Sequence, residues 1–147
     1  MSAIVSAILA MIAWPLSFET EADLQQLRPS GLKVFERVQQ RATDGQWALR
    51  VVFPGSDRDT WPGFWLDLSQ QKITQKSVLV FHVINATGSP RVLSWRVDDA
   101  DGRREFGSSS VPAAKQALMQ IWLGGLRYQL NLERLTGVYI YVRIPRE

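Results

Sequence analysis

The stretch Ser77-Val78-Leu79-Val80-Phe81-His82-Val83-Ile84 consists almost entirely of residues that favour β-strands. Successive side chains of a strand point to opposite faces of a sheet. Leu79, Phe81 and Val83 are therefore predicted to face a core, and His82 is predicted to face the opposite, polar side. This stretch predicts a strand with one buried and one solvated face.

The same alternation recurs on both sides of this strand. Trp47, Leu49, Val51 and Phe53 form a second core face after the turn 43–46, whose Asp-Gly pair tolerates the positive φ of a hairpin. Further strands are predicted at 32–39, 64–68, 92–98, 104–106, 117–123 and 138–144, short helical segments at 19–26 and 131–135, and a turn at 28–31. About eight short strands with turns between them and almost no helix predict an all-β, antiparallel β-sandwich.

Length and composition indicate one globular domain. The chain has 147 residues, of which 46% are hydrophobic and 21% charged, and this composition is ordinary for a folded domain. The net charge is only +3 and the basic residues are scattered, which argues against nucleic acid as a partner. Cysteine is absent and His82 is the single histidine. We therefore expect no thiol chemistry and no two-histidine metal site.

Residues 1–13 form an apolar segment that precedes the predicted domain at 14–147. Positions 2–13 (SAIVSAILAMIA) carry no charge, but the segment is shorter than the roughly 20 residues of a membrane-spanning helix. It fits the apolar part of a secretory signal without the basic start, the end of a membrane helix, or a buried helix of the domain. We expect an exported or membrane-anchored protein that acts outside the cytoplasm.

Aromatic and polar residues accumulate on the strand faces that point away from the predicted core. Those on predicted strands are Trp65, Asp67, His82, Arg96, Asp98, Tyr139, Tyr141 and Arg143. Trp61 joins them from the loop before the strand at 64–68. A sugar presents flat C–H faces and hydroxyl groups, which suit aromatic rings set among hydrogen-bonding and charged groups. The sequence therefore predicts one shared glycan-binding surface.

Several stretches also resemble a known group of domains. The segments 18–19, 45–51, 61–68, 78–85 and 93–99 are similar to galactose-binding-like jelly-roll sandwiches. Family 11 carbohydrate-binding modules and related non-catalytic bacterial surface domains, some of which follow VanZ-like membrane segments, are nearest in pattern. The resemblance covers about 18–144 and implies a jelly-roll β-sandwich whose concave face or loop rim often binds glycans. Such sandwiches often hold calcium, which leaves a structural ion open through Glu19, Glu21 or Asp44.

The function predicted from these features is a non-catalytic module that binds a glycan or polysaccharide. Asp67 and Asp98 are the acids that would face each other in a glycoside hydrolase, but the sequence lacks a deep-cleft insertion and a second acid pair with an evident role. No cofactor is expected, since 98–102 fits a hairpin turn better than a calcium loop. The alternative is a structural or assembly domain that binds a partner protein with the same face.

Overall fold

Within the residues that the computed structural model describes (2–10, 18–40, 42, 45–54 and 61–143), the chain folds into two five-stranded sheets. Residues 2–10 are described by their backbone alone. Neighbouring strands are antiparallel. The predicted all-β, antiparallel sandwich is therefore confirmed.

The strands, in chain order, are β1 (Ser2–Ala10), β2 (Leu27–Ser30), β3 (Val34–Val38), β4 (Ala48–Val52), β5 (Gly63–Asp67), β6 (Val78–Asn85), β7 (Arg91–Asp99), β8 (Arg104–Val111), β9 (Gln116–Ile121) and β10 (Leu135–Tyr141). A short helix, α1 (Glu21–Gln25), and two 3₁₀ helices, Leu123–Tyr128 and Leu132–Arg134, complete the described elements. One sheet has the order β3-β4-β1-β6-β9 and is called the β6 sheet. The other has the order β2-β5-β10-β7-β8 and is called the β10 sheet.

The core lies between the two sheets and follows the predicted alternation. Leu79, Phe81 and Val83 of β6 are each 1% exposed. Val138 and Ile140 of β10 face them as part of the same cluster of buried residues. Burial of each such side chain contributes about 1.5–3 kcal/mol, so the two apolar faces supply the main force that holds the sheets together. Trp47, which was predicted to face the core, and Trp95 are partly buried and pack against this cluster.

The apolar amino-terminal segment enters the β6 sheet as a strand. Its backbone pairs with β4 from Ser2 opposite Val52 to Val5 opposite Leu49, and it pairs with β6 along its whole length. The buried helix considered for this segment is therefore not what the structure has. A segment that pairs as a strand of the domain cannot, in the same molecule, be cleaved off or inserted into a membrane. The secretory signal or membrane anchor stays a prediction. Among the described residues, no helix has the length and apolar character needed to cross a membrane.

The bounds of several strands differ from the sequence-based expectation, and the differences at β2 and β8 have a clear physical reason. The predicted turn at 28–31 is wrong for its first three residues, since Leu27–Ser30 pairs with β5 as an edge strand. An edge position tolerates Pro29, which cannot donate a ladder hydrogen bond. Gly31, with φ of 64°, makes the turn. The strand predicted at 104–106 extends to Val111, because β7 offers a partner along its whole length.

Asp99 links the β7–β8 hairpin to the turn before β10. The carboxylate, in a residue only 4% exposed, accepts hydrogen bonds from the backbone N–H groups of Asp101, Arg103 and Asn131 at 2.8–3.0 Å. The Nε of Arg103 donates to it as well, at 3.0 Å. Desolvation raises the pKa of Asp99, but the N–H donors and the Arg103 guanidinium outweigh it and lower the pKa below its ordinary value. The carboxylate is therefore bound in its charged form.

We expect Asp99→Asn to lower the free energy of unfolding at pH 7, because the new amide group would point a donor at backbone N–H groups. The wild-type contribution is fully present above the unfolded pKa of about 3.9 and is lost as the pH falls through the lower pKa of the folded state. Urea denaturation between pH 7 and pH 2.5 measures both effects. The variant should lose less stability than wild type on acidification, whereas Glu105→Gln should follow wild type. Equal losses in Asp99→Asn and wild type would contradict this role.

Candidate functional site

Four side chains lie side by side across the outer face of the β10 sheet. Trp65 of β5 is opposite Tyr139 of β10, Tyr139 is opposite Arg96 of β7, and Arg96 is opposite Phe106 of β8. With neighbouring strands about 4.8 Å apart, this cross-strand row spans roughly 14 Å. The structure thus brings together three of the predicted residues and adds Phe106.

Phe106 is the functional candidate that the sequence analysis missed. It is 60% exposed at the edge of the sheet. The predicted strand ended at this residue, so its place in the alternation was not considered. If the predicted strand is continued to Ser110, alternation places Phe106, Ser108 and Ser110 on one face. Ser108 and Ser110 lie opposite Ser94 and Val92, on the same face of the sheet as Arg96.

The rings on this face form a continuous stack toward the end of β10. Tyr139 and Tyr141 lie parallel, with centroids 5.4 Å apart and planes at 18°. Trp61 meets Tyr141 edge to face at 5.6 Å, and the guanidinium of Arg143 lies 5.3 Å from the Trp61 ring. The Tyr139 hydroxyl donates to the backbone carbonyl of Trp61 at 2.7 Å. The loop that carries Trp61 is thereby attached to the sheet face.

Tyr141 does not have the exposure that was expected of it. Trp61 and Tyr139 cover its ring, and the residue is 9% exposed. Gly63 lies directly beside it, where a Cβ atom would be only 2.7 Å from the Cβ of Tyr141. Tyr141 therefore packs as part of the sheet face, and the ligand-accessible part of the predicted surface shifts toward Trp65, Arg96 and Phe106.

His82 is not on this surface. It lies on β6, on the outer face of the other sheet, and its Nδ1 is 2.8 Å from the Nε2 of Gln116 on β9. The expectation of one shared surface that includes His82 is therefore wrong. Strand alternation specifies which side of its own sheet a residue occupies, but it does not specify which of two sheets contains the strand.

The charged residues of this face are held by fixed partners. Arg96 donates from Nε to Asp98 at 2.8 Å, and its guanidinium carbon lies 5.7 Å from the Trp65 ring and 5.6 Å from the Tyr139 ring. Arg104 approaches the other Asp98 oxygen at 3.5 Å. The guanidinium of Arg96 therefore lies beside both rings, whose centroids are 6.2 Å apart, and Asp98 sets its orientation.

Asp67 and Asp98 lie on the two strands that flank Gly137, so their Cα atoms are about two strand spacings, or 9.6 Å, apart. Hydrogen bonds from the side chain and backbone of Ser69 lower the pKa of Asp67, and the charge of Arg28 lowers it further, against a smaller opposing effect of desolvation. Asp67 therefore stays ionised at neutral pH, where it can accept hydrogen bonds but cannot donate a proton.

The oxygens proposed for a structural calcium ion already have protein partners. Arg37, whose side chain is 11% exposed, donates to the carbonyls of Phe18 and Glu19, each at 2.6 Å, and to the Glu21 carboxylate at 2.8 Å. The Glu19 carboxylate accepts two backbone N–H groups at 2.8 and 3.1 Å. Asp44 lies outside the described residues. Across the part of the chain that the structure describes, no three His, Cys, Asp or Glu side chains cluster as metal ligands.

Comparison with known proteins identifies neighbours among solved structures. No family model matches the sequence, and no curated protein matches it. A solved structure of an exo-beta-agarase is similar in fold, with a TM-score of 0.63 over 86% of this chain and 12% sequence identity. The match spans 22% of that chain, so it concerns one part of a longer protein. The chain is thus a β-sandwich with the fold of one part of an exo-beta-agarase.

We expect Tyr141→Ala to lower the free energy of unfolding by about 3 kcal/mol, because it removes a buried ring from between two others. Phe106→Ala, at an exposed position, should change stability by less than about 0.5 kcal/mol. Chemical denaturation of both variants makes the comparison. A Tyr141→Ala variant as stable as wild type would mean that the ring is not part of the packed face.

Arg37→Ala should lower the free energy of unfolding by about 2–3 kcal/mol, because it leaves a carboxylate and two carbonyls without their charged donor. Arg50→Ala is the matched control, since Arg50 forms an exposed ion pair with Glu36 that contributes at most about 1 kcal/mol. Thermal denaturation with calcium chloride or with EDTA provides the second measurement. We expect the melting temperature of wild type to be equal in both, and a large calcium-dependent rise would contradict the role of Arg37 as the cation of this cluster.

Proposed function

We propose that this protein is a non-catalytic glycan-binding module and that the cross-strand row is its binding surface. The observation that carries the proposal is the alignment of Trp65, Arg96 and Phe106 on one face of a rigid sheet. Aromatic rings stack against the C–H faces of sugars, and a guanidinium donates to their hydroxyl groups. These side chains are spaced so that an extended saccharide can contact them in succession.

Arg96 is suited to a ligand because its position is fixed before binding. Its Nε is engaged by Asp98, and its two terminal amino groups make no hydrogen bond within the described part of the chain. These amino groups can therefore donate hydrogen bonds to a ligand, and contact with the rings of Trp65 and Tyr139 keeps the guanidinium in place. A donor that is already oriented loses little conformational freedom on binding.

The similarities of the chain support the same proposal. Its sequence resembles family 11 carbohydrate-binding modules, and its fold resembles one part of an exo-beta-agarase. The activity in the name of that protein makes agarose the first polysaccharide to test. A location outside the cytoplasm is part of the proposal and rests on the apolar composition of residues 1–13 alone, because the pairing of 2–10 as β1 excludes their cleavage or membrane insertion in the same molecule.

The absence of catalysis is part of the proposal. A glycoside hydrolase needs a carboxylic acid that keeps its proton until it protonates the leaving group. The pKa of Asp67 is lowered, so Asp67 does not hold a proton at neutral pH, and both carboxylate oxygens of Asp98 already have arginine partners. Both residues are better suited to accept hydrogen bonds from sugar hydroxyls.

Assembly with a partner protein is the second candidate for this surface. Val92 and Phe106 are 55% and 60% exposed, and both lie on the outer face of the β10 sheet near its β8 edge. Exposed apolar and aromatic residues beside arginines are also typical of protein interfaces. Size-exclusion chromatography at several protein concentrations detects self-association through this edge.

We expect Phe106→Ala and Trp65→Ala to weaken polysaccharide binding about two- to tenfold, since one aromatic contact contributes about 0.5–1.5 kcal/mol. Affinity electrophoresis through gels that contain agarose, xylan or mixed-linkage β-glucan measures the change. Leu118→Ala is the control, because Leu118 is 50% exposed on the other sheet. If wild type is retarded by none of the gels, or if the variants are retarded as much as wild type, this surface does not bind these glycans.

A further inference from the structure

A concave site separate from the cross-strand row lies at one end of the sandwich. A cavity of about 820 Å³ opens there between the loop after β5, the β7–β8 hairpin and the turns before β10. This volume is within the range of small-molecule sites, about 300–1,000 Å³. None of the four residues of the cross-strand row lines it.

The cavity combines a buried apolar base with charged walls. Ile73 and Leu130 are 8% and 2% exposed and contribute apolar surface to the lining. Three cationic side chains, Lys72, Arg103 and Arg127, also line the cavity, against the single carboxylate of Glu133. Because Asp99 and Asp101 pair with Arg103, Lys72 and Arg127 are the cations of this lining that favour an anionic group.

Two of these cations have fixed positions. Arg103 is held by Asp99 at 3.0 Å and by Asp101 at 3.1 Å. Arg127 donates to the carbonyl of Gly124 at 3.2 Å and to the Tyr128 hydroxyl at 2.9 Å. Lys72 is exposed, and within the described residues it makes neither a hydrogen bond nor an ion pair. The cavity thus has two oriented guanidinium groups and one exposed ammonium group that has no bonded partner among the described residues.

Two exposed aromatic rings lie beside the cavity. The Arg127 guanidinium is 4.3 Å from the Tyr128 ring and 6.0 Å from the Trp122 ring, and these residues are 78% and 58% exposed. Trp122 is nevertheless fixed, because its Nε1 donates to the Gln75 carbonyl at 3.0 Å. Neither ring lines the cavity, but each is hydrogen-bonded to a residue that does, Trp122 to Gln75 and Tyr128 to Arg127, so a ligand that extends out of the cavity can contact them.

We propose that this end cavity is a second saccharide site, which takes a sugar unit that carries a carboxylate, as in a uronic acid. Lys72 and Arg127 meet the carboxylate, Glu133 accepts from the hydroxyls, and the rings of Trp122 and Tyr128 contact the C–H face. A charge-assisted hydrogen bond between a carboxylate and a cation is stronger than a neutral one. The site therefore distinguishes acidic sugars from their neutral counterparts. It does not depend on the cross-strand row.

The test uses the full chain labelled with ¹⁵N and titrated with galacturonic acid and glucuronic acid. Galactose and glucose are the uncharged counterparts, and acetate is the carboxylate alone. We expect the acidic sugars to shift the indole N–H signal of Trp122 and the amide signals of 71–75, with the Trp65 indole unchanged. Lys72→Gln should weaken this binding roughly tenfold, and Lys76→Gln, on the same loop outside the cavity, should leave it unchanged.

Each alternative outcome overturns a defined part of the proposal. Equal shifts with galactose and galacturonic acid would exclude recognition of the carboxylate. Equal shifts with acetate would show that the cavity binds a carboxylate without recognising the sugar. The absence of shifts at millimolar uronic acid would show that the cavity does not bind acidic sugars. Shifts confined to the Trp65 indole would contradict this inference while they support the cross-strand row as a glycan site.

Discussion

β10 is the central strand of its sheet, and its alternation of apolar and aromatic residues determines which residues face the core and which face solvent. Val138 and Ile140 enter the core, and Tyr139 and Tyr141 therefore face outward. β5 and β7 pair with β10 on its two sides, so their outward residues align with the tyrosines. A shift of one residue in this register would move the apolar side chains into solvent and the tyrosines into the core. The burial of apolar surface thus specifies the composition of the candidate site.

The outer face of the β10 sheet contributes both to stability and to the proposed binding, and different parts of the face have these two roles. Toward the end of β10, Trp61 covers Tyr141, and the Tyr139 hydroxyl attaches the Trp61 loop to the sheet. Toward β8, Arg96 and Phe106 leave more of their surface accessible. Close packing occurs at Gly137 as well, where a Cβ atom would lie 2.5 Å from the Trp65 ring. The covered rings hold the accessible ones in place, which favours binding without rearrangement.

Ion pairs and carboxylate–amide contacts fix the loops that the apolar core cannot reach. Asp99 connects a hairpin with the turn before β10, and Arg37 connects β3 with the residues before α1. Both groups are largely withdrawn from solvent, where a charged hydrogen bond is strong and a missing partner is costly. The end cavity is bordered by one of these clusters, because Asp99 and Asp101 hold Arg103 in its wall.

The fold class and the inward or outward direction of most strand residues could be predicted from the sequence. Both follow from local properties: the β-propensity of short segments, the alternation of apolar residues and the turn chemistry between them. The packing of the folded chain was needed to show that His82 lies on the other sheet, that Trp61 covers Tyr141, and that Phe106 adjoins Arg96. It also decided that the loops of Lys72, Arg103 and Arg127 enclose a cavity. These relations depend on which strands pair and how distant loops pack, and no pattern within a single segment contains that information.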